Sequence, residues 1–169
     1  MNRIIISILF MVGFAAQAAD GPVYHWLFEP GRVKGQEVQP LAGGMPVKFN
    51  GSANIDTESG PAYLSLDGSR HRAWVADKLT GLKLPKKDIT ISAWLKIDKP
   101  GRWGGICGVI QDNGNYERGW ILGYENARFN FGLNTVGNGR LTYLADKTDY
   151  KKGYWHHVTG VYDGIEMRL

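Results

Sequence analysis

The sequence predicts an all-β protein folded as a two-sheet antiparallel β-sandwich, on three observations. Apolar and polar residues alternate in short runs, and no long segment places apolar residues at helical spacing. Glycine is abundant, 23 of 169 residues, and the aromatic content reaches 12%. Turn dipeptides separate the runs: Asp67-Gly68, Asn113-Gly114, Gly137-Asn138-Gly139 and Asp163-Gly164. Asn-Gly and Asp-Gly favour tight hairpins because both residues tolerate positive φ. Many short strands with few helices bury their apolar faces best as two packed sheets.

The first element to assign lies outside that pattern. Asn2 and Arg3 give a short positive start, Ile4 to Phe14 is apolar apart from Ser7 and Gly13, and Ala16-Gln17-Ala18 supplies a small-x-small cleavage pattern. The run is shorter than the roughly 18 residues that span a bilayer. Residues 1–18 are therefore expected to be a signal peptide outside the fold, with no membrane span. Residues 19–169 are expected to be secreted, periplasmic or at the cell surface, and they are numerous enough for one domain with a real core.

Strands are expected at Val23–Phe28, Val47–Phe49, Tyr63–Leu66, Ala73–Val75, Ile89–Ile97, Gly105–Gln111, Gly119–Tyr124, Arg128–Leu133, Arg140–Ala145, Tyr154–Tyr162 and Ile165–Leu169. The clearest is "ITISAWLKI", residues 89–97. Ile89, Ile91, Ala93, Leu95 and Ile97 point one way, and Thr90, Ser92, Trp94 and Lys96 the other. Trp26, Trp94, Trp120 and Trp155 fall in strands and are expected in the core or between sheets.

Adjacent His156 and His157 invite a metal-site reading, which strand geometry opposes. Neighbouring side chains on a strand face opposite ways, so the two imidazoles cannot chelate one ion. His157 is expected on the face with Trp155, Thr159 and Val161, in a sheet interface. His156 shares the other face with Val158, Gly160 and Tyr162. One imidazole should be buried and hydrogen-bonded, and the other at least partly exposed. The single cysteine, Cys107 in "GGICGVIQ", allows no internal disulfide and reads as a small buried hydrophobe. The net charge of +4 comes from scattered basic residues beside turns, with no basic stripe. Nucleic acid is therefore not an expected partner.

Four stretches, taken in order, carry a family resemblance: "YHWLFEPG" (24–31), "YLSLDGSRHRAWV" (63–75), "ITISAWLKID" (89–98) and "GYWHHVTGVYDGIEMRL" (153–169). Together they resemble the laminin-G-like jelly rolls of the concanavalin A-like lectin/glucanase superfold, and "GWILGYENARFNFGL" (119–133) fits the hairpin expected between them. Trp-His-His-Val followed by Tyr-Asp-Gly is the most specific segment. The resemblance implies that residues 19–169 are one jelly-roll domain, incomplete at its C-terminal end because the family pattern continues past residue 169, within a larger multidomain protein.

The family also contains glucanases, which carry acids at alternate positions of one strand so that the carboxylates share a face. Glu29, Asp67, Asp98, Asp112, Glu117, Glu125, Asp163 and Glu166 lie near strands, and no two stand at i, i+2 within one. No Gly-x-Ser-x-Gly or His-Glu-x-x-His motif occurs. No catalytic residue is assigned, and a non-catalytic recognition module is expected, binding a glycan or an extracellular protein surface. The resemblance adds calcium as a cofactor of such domains, with Asp67 as the matching oxygen ligand; Asp112, Asn113 and Asn115 form a second oxygen-rich loop. Trp103 in "PGRWGG" and Tyr116 in "DNGNYERG" are the candidate carbohydrate-binding rings, set in polar, flexible surroundings. A glycoside hydrolase on the same fold and a purely structural spacer are the alternative functions.

Overall fold

A computed structural model describes residues 4–11, 21–50, 54–57, 61–67, 72–135 and 139–169, the first of these segments by its backbone alone. The described strands are β1 (Ile4–Met11), β2 (Tyr24–Trp26), β3 (Val33–Lys34), β4 (Glu37–Val38), β5 (Val47–Phe49), β6 (Asn54–Asp56), β7 (Tyr63–Leu66), β8 (Ala73–Trp74), β9 (Ile89–Ile97), β10 (Trp103–Asp112), β11 (Glu117–Glu125), β12 (Arg128–Leu133), β13 (Thr142–Ala145), β14 (Trp155–Tyr162) and β15 (Met167–Arg168). All their pairings are antiparallel. The largest sheet runs β15-β14-β9-β1-β7-β6, with β2 also paired to β1. A four-stranded sheet runs β10-β11-β12-β13, and a second runs β3-β4-β5-β8.

Period-two alternation decides which face each strand buries. Ile89, Ile91, Ala93, Leu95 and Ile97 of β9 all lie in the core, as their spacing predicts. Trp120, Leu122 and Tyr124 of β11 and Phe129, Phe131 and Leu133 of β12 meet them there. The two layers approach each other at Gly160 of β14. A Cβ at that position would stand 2.7 Å from the Phe131 ring, so only glycine lets this ring reach β14.

β10 departs from strict alternation. The ladder to β11 shifts between Gly105 and Cys107, a β-bulge. It turns two successive residues inward: Ile106 is buried in the core and Cys107 packs against it. Cys107 is thus partly buried against the core, rather than enclosed within it as expected. Burial pushes its thiol up to about 12, which keeps it protonated and unreactive at neutral pH.

Two placements differ from the sequence reading. Residues 1–18 are expected outside the fold, yet the backbone of Ile4–Met11 forms β1 in the middle of the large sheet. A continuous apolar run is compatible with a strand paired along both edges inside a sheet, so leader and central strand share one sequence pattern. The short strands β3, β4 and β6 carry too few residues for alternation to reveal them. Among the described residues no helix is long and apolar enough to cross a membrane.

Candidate functional site

The outward face of the four-stranded sheet is built from side chains that the core does not take. Since Leu122 and Tyr124 point inward, Ile121, Gly123 and Glu125 point outward; by the same alternation Arg128, Asn130 and Gly132 point outward from β12. Strand register then sorts them into rows across the sheet. One row is Trp103–Glu125–Arg128. The next is Gly105–Gly123–Asn130–Ala145, and the third is Gly108–Ile121–Gly132–Tyr143. The middle row has almost no side-chain bulk, so the face sinks into a trough between its neighbours. Tyr143 leans over the bare backbone of Gly132, where a Cβ would stand 2.5 Å from its ring.

The trough belongs to a groove of about 1000 Å³ whose walls include Trp103, Tyr143, Glu125, Arg128, Asn130 and Asp149. Trp103 is 74% exposed and Tyr143 50%, high values for large aromatic rings. Burial of the phenol, followed by the carboxylates of Asp112, Glu117 and Glu125, raises the Tyr143 pKa. Its hydroxyl therefore stays a hydrogen-bond donor. Arg128 donates from Nε to Asp149 Oδ1 at 3.0 Å. Aromatic rings beside polar groups in a concave site suit a sugar, whose CH face stacks while its hydroxyls bond.

Trp103 lines this groove, and Tyr116 does not stand with it. Trp103 pairs with Glu125 at one end of the β10–β11 ladder, and Asp112 pairs with Glu117 at the other. At about 3.3 Å per residue the two rings lie roughly 30 Å apart along the strand. One sugar cannot touch both. Tyr116 is 37% exposed, with the Arg118 guanidinium 4.3 Å from its ring centroid and Arg118 Nε donating to its hydroxyl. The ring that shares the trough with Trp103 is Tyr143. Its position next to Gly132 depends on cross-strand register, which local sequence does not display.

Two acids of this face are engaged locally. Asp149 holds Arg128, and Asp112 Oδ1 accepts the Gly114 N–H of its own turn. Glu125 and Asp112 stand at opposite ends of the ladder. Asp67 follows β7, it has an interaction partner, and residues 68–71 lie outside the described residues. Among the described residues no three His, Cys, Asp or Glu side chains gather at metal distance. Asn113 Oδ1 accepts the Tyr116 N–H, so it serves the β10–β11 turn as Asp112 does.

The outward face of the large sheet corrects two expectations. Trp26 and Trp120 are buried as expected, but Trp94 is 52% exposed and Trp155 40%. Both belong to the polar side of their strands, and period two outweighs the apolar character of a single ring. The histidines do face opposite ways, with their places exchanged. His156 is half-buried on the core side beside Phe129 and Tyr150, its Nε2 2.9 Å from the Lys151 carbonyl oxygen. His157 is exposed, stacked on Trp94 with ring centroids 4.9 Å apart, its Nε2 2.5 Å from Ser92 Oγ. Ser92 is only 3% exposed, so this serine–histidine pair presents no accessible nucleophile.

Of the known families, a laminin-G model described as concanavalin A-like lectin/glucanases superfamily matches residues 67–169. The chain belongs to this superfamily. Searches of curated proteins and of solved structures each returned no match. Membership accounts for the antiparallel sandwich; the superfold hosts both binding and cleaving members, so the site must carry the functional argument.

Proposed function

We propose that this lectin/glucanase-superfamily domain is an exported, non-catalytic recognition module that binds a glycan in the trough of its four-stranded sheet, as part of a larger protein. One observation carries the reading. The row Gly105–Gly123–Asn130–Ala145 is low between exposed Trp103 and exposed Tyr143, with the Asn130 side chain lying over Gly123. A sugar ring entering there would stack on Trp103 or Tyr143 and bond to Glu125, Asn130 and the Tyr143 hydroxyl. Recognition is favoured over glycoside cleavage because Asp149 is engaged with Arg128 and Asp112 with its own turn, and Asp112 stands at the opposite end of the ladder from Glu125. A spacer would have no reason to keep two large rings in water beside a bare groove.

The test is a glycan array probed with the protein, with and without a calcium chelator, followed by titration calorimetry on the hits. Binding to a subset of glycans, weakened at least about tenfold by Trp103→Ala and by Tyr143→Ala, is expected. Binding that survives both substitutions, or no binding at all, overturns the proposal.

A further inference from the structure

The groove that holds the trough is negatively charged, on a chain whose formal net charge is +4. Among the described residues its charged walls are Asp112, Glu125, Asp149 and Arg128, with no lysine. Asp149 is balanced by Arg128, whose Nε stands 3.0 Å from Asp149 Oδ1. Asp112 Oδ1 accepts a neutral backbone donor, the Gly114 N–H, so its charge stays. Glu125 is exposed, and no ion pair among the described residues includes it. Two carboxylates therefore act on the groove without a counter-ion of their own. Tyr143 registers the field. Burial first, and then Asp112, Glu117 and Glu125, holds the phenol above its ordinary value of 10.0, so a negative charge at that ring is disfavoured.

We infer that the trough selects sugars carrying a free, protonated amino group over N-acetylated or acidic sugars, and that Glu125 sets this preference. The inference rests on the reading of the trough as a glycan site. Glu125 and Trp103 are cross-strand partners and line the same groove. Such partners stand about 5 Å apart at Cβ. A carboxylate beside an open indole face suits an ammonium, the first by opposite charge and the second by its π-face. An amino sugar offers what both need, a CH face for the ring and a cation for the acid. N-acetylation removes that cation. A uronic acid sets its own carboxylate against Asp112 and Glu125, a like-charge contact that costs affinity. The chain's net positive charge cannot produce the preference, because at long range it repels an ammonium. Selection of a cationic sugar must come from the groove itself.

The experiment titrates the whole chain by calorimetry with oligomers of glucosamine, N-acetylglucosamine and galacturonic acid, matched in length. The glucosamine oligomer is expected to bind at least about fivefold tighter than the N-acetylated one, and the galacturonic acid oligomer most weakly. Glu125→Gln keeps the shape of the side chain and removes its charge. It should bring the first two oligomers to within about twofold of each other. Glu166→Gln, which removes a charge beside β14 and β15, should leave their ratio as it was. Equal or tighter binding of the N-acetylated or acidic oligomer, lost with Trp103→Ala, overturns the amine preference and leaves the trough a glycan site. A ratio unchanged by Glu125→Gln, or other glycans binding through Trp103 while the glucosamine oligomer does not, has the same outcome. Binding that neither Trp103→Ala nor Glu125→Gln weakens, or no glycan binding of any kind, overturns the preference and the glycan site together.

Discussion

The outward faces of the two large sheets make a useful contrast, because both carry exposed aromatic rings and only one leaves room beside them. On the large sheet the polar side of β9 and β14 is filled by its own contacts. Trp94 lies on His157, His157 meets Ser92, and Thr159 Oγ1 donates to Ser92 Oγ at 3.2 Å. Trp155 packs edge-on against Tyr63, and Lys96 reaches over the same tyrosine ring. On the four-stranded sheet a row of mostly small residues, Gly105, Gly123, Asn130 and Ala145, runs past Trp103 and Tyr143 along a groove. An exposed ring is therefore not itself a binding feature. What distinguishes a ligand face is the size of the residues one row away.

The contrast depends on a shared interior, so the largest expected effect lies there. Phe131 is fully buried and fills the space that Gly160 leaves. Phe131→Ala should destabilise the protein by about 3–5 kcal/mol, measured by denaturant unfolding, and should damage both outward faces together. Gly160→Val overfills the same place, at an expected cost of about 1–3 kcal/mol. If either loss fell below about 0.5 kcal/mol, the two layers would not meet at this point.

An alkaline titration probes the inner side of the sheet that bears the trough. The Cys107 thiol has an ordinary value of 9.0 and is pushed up to about 12 by burial. The folded state keeps its proton to higher pH than the unfolded chain. The stability this provides is whole below about pH 9 and is lost as pH rises toward about 12. Tyr150, raised from 10.0 to about 12 by burial and then by Tyr124, loses stability in an overlapping window. Cys107→Ala should flatten the decline between about pH 9 and 10 and leave the later part to Tyr150. A decline identical in wild type and variant would place the thiol in water.

Much of this architecture was legible in the sequence, for a reason that also marks where legibility stopped. Alternation is a local property, so the buried face of β9 and the opposed histidines could be read from residues a few positions apart. Register is not local. Tyr143 stands beside Gly132 only because β12 and β13 pair as they do, and the bulge after Gly105 depends on how β10 meets β11. Trp103 was accessible to sequence reasoning because its neighbours are polar and small; Tyr143, its partner across the trough, was not. For Trp94 the large ring argued for burial while the alternation of β9 argued for exposure, and alternation prevailed. Ile4–Met11 was ambiguous in a deeper way, since an export leader and a strand in the middle of a sheet ask for the same residues.

The smallest effects sharpen the contrast most. Trp94→Ala removes a half-exposed ring and its stacking on His157, a contact worth about 0.5–1.5 kcal/mol, so a loss of about 1 kcal/mol is expected. Trp103→Ala removes a ring that is 74% exposed, and the folding free energy should change by no more than about 0.5 kcal/mol. The same substitution should weaken glycan binding at least about tenfold, whereas Trp94→Ala should leave that binding unchanged. The two tryptophans would then differ in opposite directions on two measurements, as a self-packed ring and a ligand-facing ring must. If Trp103→Ala cost more stability than Trp94→Ala, the ring would be closing the end of the core, and the trough would lose the wall on which its proposed recognition depends.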